Sequence, residues 1–512
     1  MIRKRTRRPL LLTLSVVTVA VALVPVAYLT IRTAEAGWAR IAQEVFTVRT
    51  ARLAVRTLGL AAVVTAACAV LGVLSAFLVV RTDLPGRRLF AVLAALPLAV
   101  PTYIAAFAWR SSIDGFEGFW AAALVLTLCS YPYVFLPTAA ALINADPAQE
   151  EVSRSLGRSA WRTFTGVTLR QVRPAYAAGS LLVALYVLSD FGAVSIVRTD
   201  TFTRAVFVAF DLGFDRTGAL VLSTVLVVLT MLVLAGETAT RRRGARYAHL
   251  GGTRRAAARL RLGRARWPAA AALTAVAGLA LGVTALSLGL RMVQGVSRPG
   301  AWAEVAAAMG NSLWLSFAGA ALTMALALPL GLLTAKAPGP LATLLDRLAY
   351  VSHALPGVVI GLSLVSFGVT LAYPLYQTTW LLALGYAALF LPLALAAVTG
   401  AAAQAPPVLE DVARSLGRGP LGVLRTVTLP LVLPGIGAGA ALVFLTCMKE
   451  LPATLLLRPT GVDTLATELW THTTVAAYAA AAPYAALLVL LSSVPAWLLT
   501  ARTGILTAET SR

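Results

Sequence analysis

The chain has 512 residues, of which 59% are hydrophobic and only 12% are charged, and its mean hydropathy is +0.82. Water-soluble domains do not carry so large an apolar fraction, so lipid is the expected solvent for most of this chain. The formal net charge of +22 would suit a nucleic-acid-binding protein, but the placement of the arginines, described below, argues against that class.

Uncharged or nearly uncharged segments that could cross a hydrocarbon core of about 30 Å as helices recur along the whole chain. They predict about twelve transmembrane helices in an all-α polytopic membrane protein, because lipid offers no partner to backbone polar groups outside a helix or a closed barrel. The ten-residue alternation of a barrel strand is not seen. The predicted spans are 9–31, 57–80, 89–109, 119–144, 177–197, 217–236, 268–290, 310–334, 348–372, 379–402, 434–457 and 477–500.

The first predicted span follows the basic start MIRKRTRR. Ala34 and Ala36 make a small-residue cleavage site, so a signal peptide is one interpretation. The run between Arg8 and Arg32 is 23 residues long, which is long for a signal-peptide core and right for a span. We therefore expect an uncleaved first helix.

The cysteines and histidines predict neither disulfides nor a metal site. Cys68, Cys129 and Cys447 lie inside predicted spans without metal-ligand spacing, so small buried side chains are the simplest interpretation. None of the three histidines has a second His or a Cys within one helical turn, as a zinc site would normally need. We expect no metal and no cofactor bound by this chain itself.

The basic residues cluster in alternate loops, as the positive-inside rule requires of a membrane protein. With both termini in the cytoplasm, 30 of the 43 Lys and Arg residues fall on the inner side. The largest inner loop carries ten arginines and no acid between 241 and 266. A basic linker explains it better than a site for nucleic acid or anionic lipid, so we expect a lipid bilayer and no nucleic acid as partner.

Shifting the sequence by 260 residues superposes its two halves. VSRSLGR at 152–158 meets VARSLGR at 412–418, and Gly179 meets Gly439. Each half contains six predicted spans, which is an even number, so both halves cross the membrane in the same direction and the repeat is parallel. We therefore predict a first repeat at 1–240 with a polar loop at 145–175, a basic linker at 241–267, and a second repeat at 268–512 with a polar loop at 403–433.

The first polar loop reads as a short helix, a turn and a second helix. Asp146 can cap the short helix, Pro147 suits its first position and Gln149 completes a capping-box pattern. Gly157 permits the turn, and in the second copy GRGP discourages any continuation of the helix. A solvated linker would explain either loop alone. Because the same loop occurs in both halves, we expect a partner with two matching binding sites.

At this point the chain resembles the binding-protein-dependent ABC import permeases, whose inner loops carry an acid, a glycine six residues on, and Leu-Pro beyond. Asp411, Gly417, Val427, Leu429 and Pro430 match this signature, as do Glu151, Gly157, Val167 and Leu169. Arg170 replaces the proline of the first copy, and Asp411 replaces the usual glutamate beside Glu410. Which acid of each pair acts in coupling therefore stays open.

The resemblance implies a type I importer permease in two parallel six-helix repeats, in which each loop docks on an ATPase subunit. The implied coupling residues are Glu150, Glu151, Arg154, Gly157, Glu410, Asp411, Arg414 and Gly417. The chain cannot hydrolyse ATP, because its three lysines follow Arg, Ala and Met, whereas a phosphate-binding loop needs Gly-Lys. The implied partners are two copies of a cytoplasmic ATPase, which would bind ATP and Mg²⁺, and an extracytoplasmic binding protein.

The substrate rests on resemblance alone. Fused double permeases resemble ferric-iron and thiamine importers, and SDFGAVSI at 189–196 and KELPATLLLRP at 449–459 resemble the iron branch. Iron(III) import across a bacterial inner membrane is thus the leading hypothesis, thiamine the alternative, and a proton-coupled secondary transporter the alternative of another class.

Asp190 and Glu450 occupy matching positions near the ends of two spans. Acids at membrane depth normally face a bundle interior or water, so these two could line a cation pathway. Local pairing, for example with Lys449, is the competing interpretation. Two carboxylates cannot enclose a hard trivalent cation tightly, so a high-affinity iron site would belong to the binding protein.

Overall fold

The computed structural model describes residues 9–211, 213–244, 259–294, 301–337, 339–404 and 407–502. Within these ranges the chain is helical, and the one extended pairing is an isolated parallel bridge between Thr82 and Leu260. The prediction of an all-α polytopic membrane protein is confirmed. The basic start and most of the predicted linker, 245–258, lie outside the described residues.

The first half of the chain contributes fourteen α-helices within the described ranges. They are α1 (Pro9–Glu35), α2 (Gly37–Val45), α3 (Val48–Arg81), α4 (Arg87–Ala95), α5 (Thr102–Ser112), α6 (Phe119–Ser130), α7 (Pro132–Asn144), α8 (Pro147–Ser155), α9 (Ala160–Thr163), α10 (Leu169–Gln171), α11 (Arg173–Ser189), α12 (Gly192–Ile196), α13 (Phe202–Asp211) and α14 (Arg216–Gly244). A π-helical stretch, Phe164–Thr168, joins α9 to α10.

The second half repeats this order. Its helices are α15 (Arg266–Ala277), α16 (Val283–Gln294), α17 (Ala301–Lys336), α18 (Pro340–Ala349), α19 (Gly357–Thr370), α20 (Thr379–Gln404), α21 (Pro407–Ser415), α22 (Pro420–Val423), α23 (Leu429–Lys449), α24 (Pro452–Leu457), α25 (Leu465–Thr474) and α26 (Tyr478–Arg502). A π-helical stretch, Gly278–Gly282, joins α15 to α16. Another, Leu424–Thr428, stands 260 residues after Phe164–Thr168.

Eight helices or merged helices in the described part of the chain are long and apolar enough to cross a membrane, and two bent pairs and two shorter apolar helices add to them. Each of the twelve predicted spans overlaps one of these elements. Four spans are less regular than predicted. The span at 89–109 bends by 94° between α4 and α5, and that at 348–372 is interrupted at Leu355. Those at 177–197 and 434–457 break at Asp190 and Glu450.

Proline causes the sharp bend between α4 and α5 and its counterpart between α18 and α19. A residue before proline is pushed out of the helical region, and proline itself cannot donate a backbone hydrogen bond. Val100 before Pro101 has φ −84° and ψ 118°, and Leu355 before Pro356 has φ −89° and ψ 123°. The two halves therefore interrupt the same span at the same place.

Glycines bring three helices of each half into close contact. The helices α3, α7 and α11 pack on one another, and so do α17, α20 and α23. A Cβ atom placed on Gly179 would lie 2.5 Å from the carbonyl oxygen of Tyr133, and one on Gly439 would lie 2.4 Å from the Cβ of Ala397. Association in lipid depends on such close packing of small residues, so the repeated glycines mark two equivalent helix crossings.

The described helices form two compact units that do not follow the sequence repeats. Unit 1 consists of Met1–Val45, Val206–Val227 and Pro299–Glu468, and unit 2 of Phe46–Ala205, Val228–Arg298 and Leu469–Arg512. Each unit thus contains the central helices of one half together with the first span of the other. The predicted boundaries at 240 and 268 concern the repeated sequence and remain a prediction.

Specific polar contacts hold each exchanged span in its unit. In unit 1, α1 packs on α17, α18 and α19, and Thr18 donates a hydrogen bond of 2.7 Å to the carbonyl of Leu326. In unit 2, α16 packs on α5 and α26, and the hydroxyls of Ser111 and Ser287 lie 3.0 Å apart. A hydrogen bond within an apolar core fixes the register of helices that would otherwise slide.

The described end of the predicted linker is attached to unit 2. The backbone N–H of Leu260 donates to the carbonyl of Arg81 (2.8 Å), and that of Asp83 donates to the carbonyl of Leu260 (3.1 Å). The carboxylate of Asp83 also accepts from the N–H of Leu262 (2.8 Å). The chain is therefore fixed beside the end of α3 before it enters α15.

The glycine crossing is testable in α23. Replacing Gly439 with Leu should lower stability by about 1–3 kcal/mol, the usual cost of overpacking, because the new side chain meets α20. Gly437→Leu on the same helix is the control, since a Cβ atom there has no neighbour within 4 Å. The measurement is the thermal unfolding midpoint of the detergent-purified chain. Equal midpoints for the two variants would contradict the assignment.

Candidate functional site: two matched elbows and two broken spans

The two predicted polar loops form helical elbows, which we call the first elbow (145–175) and the second elbow (403–433). In the first, the carboxylate of Asp146 caps α8 by accepting from the N–H of Ala148 at 2.9 Å. The predicted capping box does not form, because Gln149 accepts a hydrogen bond of 2.8 Å from the side chain of Gln171. Residues 405–406 of the second elbow lie outside the described residues.

Both elbow helices end in the same left-handed glycine turn. Gly157 has φ +78° and Gly417 has φ +80°. The N–H of Arg158 donates to Ser153 and that of Gly157 to Arg154, which is the Schellman pattern, and the second elbow repeats both bonds. A side chain would have free space at either glycine, so the backbone conformation, rather than crowding, requires glycine there.

The two adjacent acids of each elbow face opposite ways. Glu150 and Glu410 are buried, with 8% and 7% of their surface exposed, whereas Glu151 and Asp411 are exposed. Adjacent residues on a helix lie on different faces, so one acid of each pair points into the fold and the other into solvent. The structure thus separates the two acids that the signature alone left equivalent.

Each buried acid accepts a hydrogen bond from the last residue of the π-helical stretch that follows. The hydroxyl of Thr168 donates to Glu150 at 2.9 Å, and that of Thr428 donates to Glu410 at 2.7 Å. Both threonines are themselves buried. We call this the acid–threonine contact. Sequence reasoning missed the threonines, although both stand just before the signature leucine in the repeated string VTL.

Arginines complete the charge balance of the buried acids. Arg81, at the end of α3, lies 3.2 Å from Glu150, and the two side chains are 5% and 10% exposed. In the second elbow, Arg414 binds both Glu410 (3.0 Å) and Asp411 (2.8 Å). Arg154, the predicted counterpart of Arg414, is half-buried. A buried carboxylate requires such partners, because an uncompensated charge is costly to bury.

The one difference between the repeated heptapeptides has a packing explanation. Ser153 is buried and its hydroxyl lies 3.1 Å from that of Thr163. In the second elbow the corresponding residues are Ala413 and Val423, and both are buried. A hydrogen-bonded polar pair has therefore been replaced as a whole by an apolar pair, which leaves no buried hydroxyl without a partner.

The outward face of each elbow helix is apolar. Val152 and Leu156 are 59% and 73% exposed, and Val412 and Leu416 are 50% and 75% exposed. They lie four residues apart and so form one stripe on each helix, which we call the apolar ridge.

The predicted pathway acid Asp190 serves as a cap at the break between α11 and α12. One carboxylate oxygen accepts from the N–H groups of Ala193 (3.0 Å) and Val194 (3.3 Å), and the other accepts from the hydroxyl of Thr102 (2.6 Å). Thr102 is the first residue of α5. The carboxylate thus joins the starts of two half-helices, where the helix dipoles favour a negative charge.

Glu450 makes the corresponding junction in unit 1 with different residues. Its carboxylate accepts from the N–H of Ala453 at 3.0 Å, at the start of α24. The first residue of α19 is Gly357, and a Cβ atom there would lie 2.4 Å from Oε1 of Glu450. The longer acid therefore fills the space that the Thr102 side chain occupies in the other half. Both acids have structural roles, and their place on a translocation path remains a prediction.

Comparison with known proteins identifies the family. The profile described as "Binding-protein-dependent transport system inner membrane component" matches the chain twice, at residues 68–242 and 327–501. The chain belongs to this family. It is therefore a permease subunit of an ABC importer and a multi-pass inner membrane protein. Proteins of this family are transport permeases and not enzymes. Membership of the family also excludes the alternative of a proton-coupled secondary transporter. Each match contains one elbow and one pair of broken spans.

Individual relatives differ in how much of the chain they cover. The chain is 38% identical over 498 residues to the Fe(3+)-transport system permease protein FbpB 2 of Haemophilus influenzae, covering 96% of this chain and 98% of that protein. It is 28% identical to the sulfate transport system permease protein CysT of Escherichia coli, over 41% of this chain and 84% of that protein. The molybdate/tungstate permease WtpB of Thermococcus kodakarensis is 29% identical over 28% of this chain and 60% of its own length.

One junction pairs a larger first residue with a shorter acid, and the other pairs glycine with a longer acid. This difference predicts that a second substitution can restore the stability lost through a first one. Gly357→Thr alone should destabilise the chain, because the new side chain meets the Glu450 carboxylate. Adding Glu450→Asp, which removes one methylene, should recover stability and give a coupling energy of about 1–3 kcal/mol. The measurement is the unfolding midpoint of the wild type, both single variants and the double variant.

The reciprocal pair, Thr102→Gly with Asp190→Glu, is the matched control in the other half. It should show coupling of the same sign, since it converts one junction into the other. Strictly additive effects of the two substitutions in both halves would contradict this explanation of the junctions.

Proposed function

We propose that this chain is the permease subunit of a ferric-iron importer, in which substrate delivered by an extracytoplasmic binding protein crosses to the cytoplasm. The observation that carries the substrate is the 38% identity to an Fe(3+)-transport permease over nearly the full length of both chains. The sulfate and molybdate/tungstate relatives match less than half of this chain. A ferric substrate is therefore better supported than an oxyanion.

The energy for transport comes from a separate ATPase in this proposal. ATP and Mg²⁺ would bind to that subunit, and the permease chain would hold no cofactor. Two elbows of the same shape, each with an exposed acid and an apolar ridge, support two copies of the ATPase. A ridge leucine that becomes buried in a partner contributes about 1.5–3 kcal/mol, so two ridges provide a substantial part of a stable interface.

The orientation in the membrane follows from the same proposal. Both elbows and both chain termini would face the cytoplasm, because the basic residues cluster on the side that carries the elbows. The exposed acids Glu151 and Asp411 would then meet the ATPase, while Glu150 and Glu410 would stay inside the permease. In this arrangement the exposed acids select the partner and the buried acids transmit its movement.

The experiment is uptake of radioactive iron(III) into proteoliposomes that contain the chain and its ABC ATPase, with iron-loaded binding protein outside and ATP inside. Uptake should require ATP, ATPase and binding protein together. The iron assignment would be overturned if excess thiamine or sulfate inhibited uptake and additional iron-loaded binding protein did not. Uptake driven by a proton gradient without the ATPase would overturn the coupling.

Ridge variants test the docking surface separately. Leu156→Asp with Leu416→Asp should weaken ATPase binding at least about tenfold, because about 1.4 kcal/mol corresponds to a factor of ten and two apolar contacts are lost. Leu371→Asp is the control, since Leu371 is 73% exposed but lies between α19 and α20. Undiminished ATPase binding by the double variant would contradict the role of the ridges.

A further inference from the structure

The short helix α2 (Gly37–Val45) has the two-faced character of a membrane-surface helix. It contains no buried residue. At 100° per residue, Trp38, Ile41 and Val45 fall on one face, and Gln43 and Arg40 fall on the opposite one. Trp38 is 72% exposed. Ile41 and Val45 are half-buried. The described part of the protein therefore covers the apolar face of α2 only in part and leaves Trp38 exposed.

The position of α2 is set by the ends of two spans. The chain leaves the spanning helix α1 at Glu35 and turns at Gly37, whose φ of +77° is left-handed. On the polar face, Arg40 lies 3.0 Å from Asp215, the residue before the spanning helix α14 begins. One end of α2 and one side of it are thus fixed at the level where spans leave the membrane.

We propose that α2 lies in the plane of the membrane surface and that its apolar face is covered by lipid. The occupant follows from continuity, because α2 adjoins the spans at their ends and its polar face is turned toward a charged partner. Tryptophan is favoured at this depth, and helices of this kind sit about 5–10 Å into the boundary between headgroups and acyl chains. The Arg40–Asp215 ion pair would keep the helix from rolling over.

This role is independent of the transported substrate. The counterpart of α3 in the second half is α17, an uninterrupted helix of 36 residues that begins at Ala301. The residues just before it, 295–300, lie outside the described residues. The inference therefore concerns α2 alone and assigns the first span a surface anchor next to its exit from the membrane.

The test uses nitroxide labels on the full chain in lipid nanodiscs. Single cysteines replace Ile41, Val45 and Gln43, and the wild-type chain is the labelling control because its native cysteines are buried. Collision with oxygen reports lipid, and collision with a nickel chelate reports water. We expect the oxygen-to-nickel ratio at Ile41→Cys and Val45→Cys to be at least about threefold that at Gln43→Cys, the matched polar-face control.

Three results would overturn the proposal. Equal, water-like ratios at all three positions would show that α2 stands away from the membrane. Low collision rates with both reagents at Ile41→Cys and Val45→Cys would show that protein covers the apolar face. If those rates fall only after the binding protein is added, the face is a protein-docking surface instead of a lipid-facing one.

Discussion

The acid–threonine contact is the interaction on which the elbows depend. In each half, a buried carboxylate on the elbow helix accepts a hydrogen bond from a buried threonine, which is the last residue of the π-helical stretch that follows. Breaking such a contact would leave a charged group in a poorly solvated place without one of its partners, which costs about 1.5–3 kcal/mol. The contact therefore joins the elbow helix to the start of the next span in each half.

This connection supports the proposed coupling of each elbow to the spans. In that proposal, a force on the apolar ridge would reach α11 or α23 through the buried acid. Each of these helices ends at a carboxylate junction with a second broken helix. Asp190 and Glu450 fasten those junctions. Pushing on an elbow would thus move a connected set of half-helices instead of bending a flexible loop.

The two halves reach the same geometry with different side chains. Thr102 with Asp190 corresponds to Gly357 with Glu450, so volume is moved from one residue to its partner. Ser153 with Thr163 corresponds to Ala413 with Val423, so a hydrogen bond is exchanged for apolar contact. In each case the pair changes together, which shows that the contact, and not either residue alone, is what the fold requires.

The spans and the elbows could be predicted from sequence because their signals are local. Runs of apolar residues, the Asp146 cap and the turn at Gly157 each depend on neighbours in the chain. The break at Asp190 could not be predicted, because its cause is a junction with Thr102, 88 residues away. The packing of α1 in unit 1, and the choice of which adjacent acid is buried, are likewise set by partners elsewhere in the chain, such as Arg81 beside Glu150. The capping box failed because Gln171 competes for Gln149.

The most direct test removes the acid–threonine contact in both elbows and leaves the exposed acids and the apolar ridges unchanged. Thr168→Val with Thr428→Val should leave ATPase binding and ATP hydrolysis intact but lower iron taken up per ATP at least about tenfold, since each contact is worth about 1.5–3 kcal/mol. Thr165→Val with Thr426→Val is the control, because these exposed threonines of the same π-helical stretches bond only to their own helices. Unchanged uptake per ATP in the first pair would contradict the account.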